Sequence, residues 1–380
     1  MHEAVASNRR SRAGSTGHHD PLAGHAEPLD PTAVGSPRRF VVTLLATALG
    51  IVAIVFLVNV LVDPYGTVGT NLISAGVPRD PSTKAALIKQ LGSAPQLVVL
   101  GSSRSLKVQP AYLHRLTGES VFNAGVRDAT PVEEYALVHF IHDRFPGARI
   151  HWLWLLDVEA FRDGTISPAL LDSTDLAPYV SRADRLTSRL HGIADLLSWR
   201  ALEDSFSSLR ATHHASPPLA LNGHPLTPPH IRRLIRRSEG FAPDGLYTRV
   251  DYNWSRSTQK YQAMYGDGSL YTHLQALPKT YLERTLRDLN SWGQAPVIVL
   301  TPMHPKLMQQ LAPVGWSGRH KDLVSYLEGL RSTYRFRFLD FSSLESFGGD
   351  PRGFYDPVHM REPNLHRMLS AILGRAPGAL

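Results

Sequence analysis

Cysteine is absent from this 380-residue chain. That gap removes disulfide frameworks, thiolate nucleophiles, cysteine-ligated zinc and cysteine-held iron–sulfur clusters. It also suits an oxidising compartment, where a stray thiol is a liability. Charge is sparse: 19% of residues carry one, and the formal excess of +7 is modest for the length. No basic stripe interleaved with aromatics accompanies it, which argues against nucleic acid as a partner. A phosphate-cradling P-loop, a dinucleotide-type glycine-rich turn, an H-E-x-x-H zinc motif and a calcium loop are all missing too, so neither cofactor nor metal is expected. The 29 glycines and 28 prolines show no triplet period, which excludes a collagen-like rod. With 43% hydrophobic residues, a sizeable core is affordable and a mostly disordered chain is excluded.

What is present divides into a tail, an anchor and a body. Residues 1–39 are rich in Ser, Gly, Pro, Ala and His without an apolar period, and read as a disordered cytoplasmic tail. His18, His19 and His25 there read as solvated residues rather than metal ligands. Residues 40–62 (FVVTLLATALGIVAIVFLVNVLV) form an uncharged run. At about 1.5 Å per residue it reaches the roughly 30 Å of a bilayer core. Arg38 and Arg39 precede the run, with Arg9, Arg10 and Arg12 further upstream, and Asp63 follows it. The positive-inside bias puts the N-terminus in the cytoplasm and the rest outside, periplasmic or extracellular. The run is too long, and lacks the A-x-A site, for a cleaved signal peptide, so a single-pass signal anchor is expected.

After a linker over 63–95, short apolar runs alternate with helical segments. Strands are expected at 96–100, 121–123, 149–156, 296–300 and 336–341. Helices are expected at 131–145, 278–292, 321–333 and 364–374. Residues 165–275 are irregular, broken by Pro217-Pro218 and Pro228-Pro229, and read as an insertion or cap. The alternation implies an α/β fold with a five-stranded parallel sheet in a flavodoxin-like three-layer sandwich. Ligands of such sheets sit outside the carboxyl ends of the strands.

Two strand ends carry nucleophile chemistry. Gly101-Ser102-Ser103-Arg104-Ser105 ends the first strand, where a glycine permits a tight turn and the start of a following helix would offer amides to an oxyanion. Asp356-Pro357-Val358-His359 lies between the last strand and the last helix. An Asp three residues before a His can fold back onto Nδ1 and leave Nε2 as general base. His304, in Thr301-Pro302-Met303-His304-Pro305, either lines the pocket or caps a turn. Asp157 and Glu159 could form a glycosidase-type pair, but side chains two apart on an extended segment leave little room between them. Trp152 and Trp154 read as sheet packing, and Arg232, Arg233, Arg236 and Arg237 as a solvated helix face.

Together these residues resemble the SGNH (GDSL-type) hydrolase superfamily over residues 96–375, with the middle insertion unmatched. Gly101-Ser102-Ser103 stands for the first block, Phe122-Asn123-Ala124-Gly125 for the second, and Asp356 and His359 for the last. The resemblance implies a triad of Ser103, His359 and Asp356. In two places the chain departs from the pattern: Ser102 replaces the Asp of the first block, and Leu156-Asp157-Val158-Glu159 lacks the Asn of the third. Both departures resemble the membrane-anchored envelope branch, which includes the DltD protein of teichoic-acid D-alanylation and proteins that O-acetylate alginate. Oxyanion or substrate contacts would then fall to the Ser103 amide, the Asn123–Asp128 loop (Asn123, Gly125 and Asp128), Arg104 and His304.

The function so implied is a serine esterase or O-acyltransferase outside the cytoplasmic membrane. It would O-acetylate or deacetylate a cell-envelope or exported polysaccharide, beside a membrane-bound acyl-donating partner. The rival expectation is a non-catalytic SGNH-like scaffold that binds polysaccharide in an envelope synthesis complex.

Overall fold

The computed structural model describes residues 37–62, 80–162, 164–197, 202, 205–206, 209, 254–266 and 271–374. The expected N-terminal tail, except for its last three residues, the Pro217-Pro218 and Pro228-Pro229 breaks and the arginine cluster at 232–237 lie outside the described residues. In chain order the main elements are α1 (Pro37–Val62), α2 (Asp80–Lys89), β1 (Leu97–Gly101), α3 (Pro110–Thr117), β2 (Val121–Asn123), α4 (Pro131–Arg144), β3 (His151–Leu156) and α5 (Pro168–Leu171). They continue with α6 (Arg182–Asp195), α7 (Trp254–Tyr265), α8 (Ala276–Ser291), β4 (Val297–Leu300), α9 (Pro305–Leu311), α10 (Trp316–Leu330), β5 (Arg337–Asp340) and α11 (Glu362–Gly374).

Helix α1 is long and apolar enough to cross a membrane. Its Leu45, Leu49, Ile51 and Ile54 side chains are exposed, unlike those of a core helix.

All five strands run parallel in the order β2-β1-β3-β4-β5, the flavodoxin-like doubly wound order. Strands β1, β2 and β4 are buried throughout, and β3 along all but its first residue. Burial on both faces is why these strands read as near-continuous Val/Leu/Ile runs. Alternate residues feed two separate cores. Val98, Leu100, Trp152, Trp154 and Leu156 join one with Leu137 and Ile141 of α4, Leu282 and Leu286 of α8, and Leu323 of α10. Leu97, Val99, Leu153 and Leu155 join the other with Leu113 of α3 and Leu365, Met368 and Leu369 of α11. The two tryptophans are core packing, as their spacing of two on a strand suggests; Trp152 donates to Gln294 at 2.5 Å.

Local signals explain the boundaries. Helix α4 starts at a capping box: Thr130 Oγ1 accepts from the Val132 amide at 3.3 Å, and Glu133 Oε2 accepts from the Thr130 amide at 2.9 Å, with Pro131 at the first helical position. The body begins before Gln96, because α2 buries Ala85 and Ile88 in the first core. Its Lys84 Nζ donates to the Asn123 carbonyl at 2.7 Å. The described parts of the 165–275 stretch also belong to the body, since Leu170, Leu176, Val180 and Tyr265 are core residues.

Candidate active site

The order of the sheet places its switch point between the carboxyl ends of β1 and β3, and the residues with chemistry gather there. Gly101 ends β1 at φ +141°, and a Cβ on it would stand 2.5 Å from the Leu155 carbonyl oxygen. Only glycine makes that bend beside β3 without strain. The chain then turns twice, with Ser105 N donating to Ser102 O at 3.0 Å and Val108 N to Ser105 O at 2.9 Å. Turns therefore follow the serine where a helix start was expected; helix returns only at Pro110. Ser103 is presented half-buried at the apex.

Ser103 Oγ lies 2.9 Å from His359 Nε2, and His359 Nδ1 lies 2.7 Å from Asp356 Oδ2. A carboxylate only accepts, so Nδ1 carries the ring proton and Nε2 is left to accept from the Ser103 hydroxyl. Asp356 Oδ1 meanwhile accepts from the amides of Val358 at 2.9 Å and His359 at 2.8 Å. Burial alone would raise the Asp356 pKa, but the His359 hydrogen bond and charge and the two amides outweigh it and hold the carboxyl below its ordinary value. The loop is pinned from outside as well, by Tyr355 N to His359 O at 2.9 Å and His304 N to Pro357 O at 2.8 Å. Residues 256 positions apart thus form one relay, which can draw a proton from an alcohol.

The other expected contacts are placed differently. Arg104 does not face the opening: its side chain is 3% exposed. It donates to Glu159 Oε2 at 2.8 Å, Thr301 Oγ1 at 3.0 Å and Tyr261 OH at 3.2 Å, and stands 3.4 Å from Asp157 Oδ1. Burial would favour its neutral form, but the two carboxylates prevail and hold its pKa well above the ordinary value. Asp157 accepts from Ser102 Oγ and Thr301 Oγ1, tying together the ends of β1, β3 and β4. Glu159 Oε1 also accepts from Tyr265 OH at 2.6 Å. Asp157 and Glu159 are thus occupied as counter-charges to Arg104. Ser102, Asp157 and Glu159 belong with Arg104 to one buried network beside Ser103.

Asn123 is fully buried; its Nδ2 donates to the carbonyls of Ser105 and Val108, both at 2.9 Å, and its Oδ1 accepts from the Gly125 amide at 2.9 Å. Both groups are therefore engaged within the loop rather than pointed at an oxyanion. Among the described residues nothing accepts from the Ser103 amide, which leaves it open as a donor. Asp128 is exposed at φ +52° and within electrostatic range of His359. His304 packs its ring edge-on to Trp254 and Phe354, with centroids 4.7 and 5.4 Å away. Its Nδ1 accepts from the Lys306 amide at 3.1 Å, so the ring caps α9.

Helix α7 supplies what sequence reasoning missed. Trp254 contacts His304, Tyr261 and Tyr265 join the Arg104 network, and Lys260 Nζ stands 3.8 Å from Asp128 at the rim. No local pattern announces this, because α7 meets Arg104 across 157 positions of chain. Among the described residues no cluster of three or more His, Asp or Glu side chains could hold a metal ion. No protein-family model matches the chain, and no curated protein matches its sequence.

Proposed function

We propose that this protein is a membrane-anchored serine acyl-transfer enzyme of the SGNH type, with Ser103 as nucleophile, His359 as general base and acid, and Asp356 as its orienting carboxylate. One observation carries the reading: the unbroken relay of 2.9 and 2.7 Å from hydroxyl to imidazole to carboxylate. Its place at the β1/β3 switch point, where doubly wound sheets bind ligands, supports it.

In the proposed reaction Ser103 Oγ attacks an ester carbonyl as its proton passes to His359 Nε2. The Ser103 amide donates to the oxyanion, and Asp356 stabilises the imidazolium. His359 returns the proton to the leaving alkoxide, and an acyl ester remains on Ser103. A sugar hydroxyl or water, deprotonated by the same imidazole, then takes the acyl group and frees the serine. The proposed acceptor is a hydroxyl of a cell-envelope or exported polysaccharide, and the acyl group acetyl. With α1 as anchor and the body outside the cytoplasmic membrane, the donor would be a membrane-bound acyl-carrying partner, since acyl-CoA is not supplied there.

A second reading, a non-catalytic polysaccharide-binding scaffold, draws on the engagement of Asn123 and the Gly125 amide inside their own loop. Turnover separates the two. The full chain in detergent micelles is expected to release acetate from acetyl esters, and Ser103→Ala to abolish it. Equal turnover by both proteins would reject Ser103 as nucleophile.

A further inference from the structure

Among the described residues, the strongest feature outside the site is the exposed leucine face of α6. At about 100° per residue, Asp184 and Ser188 share one side of this helix and Leu186 and Leu190 the other. The first side faces the body: Asp184 accepts from Tyr281 OH at 2.8 Å, and Ser188 Oγ from the Ile166 amide at 3.2 Å. On the opposite side Leu186 is 61% and Leu190 58% exposed, with Arg182 and Arg189 exposed on their flank. Leu197, just beyond the helix, is 51% exposed, as is Phe206. A surface helix with a leucine stripe and arginines beside it has the composition of one that lies in a lipid interface.

Its position says what covers it. Asn59, in the last turn of α1, is fully buried; its Nδ2 donates to the Leu196 carbonyl at 2.7 Å and its Oδ1 accepts from Ser205 Oγ at 2.9 Å. Asn59 is three residues from the end of α1, or roughly 5 Å along the axis. The 26 residues of α1 span roughly 39 Å against a hydrocarbon core of about 30 Å, so this last turn emerges at headgroup depth. The end of α6 is therefore bonded to the chain where it leaves the bilayer.

We propose that the Leu186/Leu190 face of α6, continued by Leu197 and Phe206, is seated in the outer bilayer interface, with Arg182 and Arg189 on anionic headgroups. The body is then docked on the membrane as well as tethered to it. This rests on the reading of α1 as a membrane span, and the test separates the two. The chain has no cysteine, so single-cysteine variants label cleanly. Nitroxide labels would be placed at L186C, L190C and L49C, and at H191C, an exposed position turned about 100° or more away from the leucine stripe. They would be read in the full chain, reconstituted in phosphatidylcholine–phosphatidylglycerol vesicles. The collision ratio of oxygen to a nickel chelate is expected to rise severalfold at 186 and 190 relative to 191, and to be highest at 49. A high ratio at 49 with 190 as water-accessible as 191 would overturn the docking while leaving the anchor standing. A water-accessible 49 would overturn the anchor and the docking with it.

Discussion

Gly125 sits where the loop after β2 presses against the turn that carries Ser103. A Cβ there would overlap Ser105 Oγ and stand 3.0 Å from Asn123 Oδ1. Ser105 Oγ in turn donates to the Ser102 carbonyl at 2.7 Å, one residue from the proposed nucleophile. Gly125→Ala should therefore cost about 1–3 kcal/mol by overpacking. By displacing Ser103 it should also lower turnover roughly 10²-fold, the penalty of about a 1 Å misplacement. Ser105→Ala alone should cost about 1 kcal/mol, the net worth of one buried hydrogen bond. Independent effects would sum to about 2–4 kcal/mol. If the clash with Ser105 Oγ is the cause, the double variant instead stays near the cost of Ser105→Ala, a coupling of about 1–3 kcal/mol. Denaturant unfolding of the four proteins in micelles, with acetyl-ester turnover, completes the cycle. Additivity within about 0.5 kcal/mol, or a neutral Gly125→Ala, would refute the reasoning.

Three further outcomes are expected. Asp356→Asn should lower kcat by roughly 10⁴-fold with the fold intact by circular dichroism, because the amide can present its NH₂ to Nδ1 and favour the wrong tautomer. Arg104→Met should destabilise by about 3–5 kcal/mol in denaturant unfolding, since Asp157 and Glu159 are left buried without a counter-charge. Glu134 is buried in α4 beside Asp157 and Glu133, and burial pushes its carboxyl well above the ordinary value. The fold therefore holds a proton that the unfolded chain releases near 4.5, and stability falls as pH rises from there toward the higher folded value. The stability of Glu134→Gln relative to the parent should climb as pH rises above about 4.5, with a limiting slope of about 1.4 kcal/mol per pH unit.

The legible parts of this fold were those written in local pattern. QLVVL, RIHWLWLL and PVIVL announce strands because buried parallel strands need unbroken apolar runs, and each lies within a residue or two of its expected bounds. The capping box before α4 is equally local. The Asp356–His359 pair was readable from spacing, and its meeting with Ser103 from the rule that strand ends share one edge. What stayed hidden depends on distant partners. Helix α2 reads as linker because its sequence holds a single short apolar run, and the burial of Ala85, Leu87 and Ile88 shows only against the distant core they pack on. The start of α10 at Trp316, five residues before its expected start, places a glycine and two polar residues in its first turn that packing of Trp316 overrides. Arg104 is charged and next to the nucleophile, so a substrate contact is the natural expectation; its burial becomes intelligible only once Asp157, Glu159 and Tyr261 are known to surround it.

The central claim, that Ser103 is an activated nucleophile, is tested most directly by covalent capture. The full chain in micelles is treated with a serine-reactive phosphonate and the adduct mapped by peptide mass. The account predicts one stoichiometric adduct on Ser103, formed far more slowly in His359→Ala and lost in Ser103→Ala. A folded protein that carries no adduct at Ser103, or carries it at Ser102 or Ser105 instead, would contradict it.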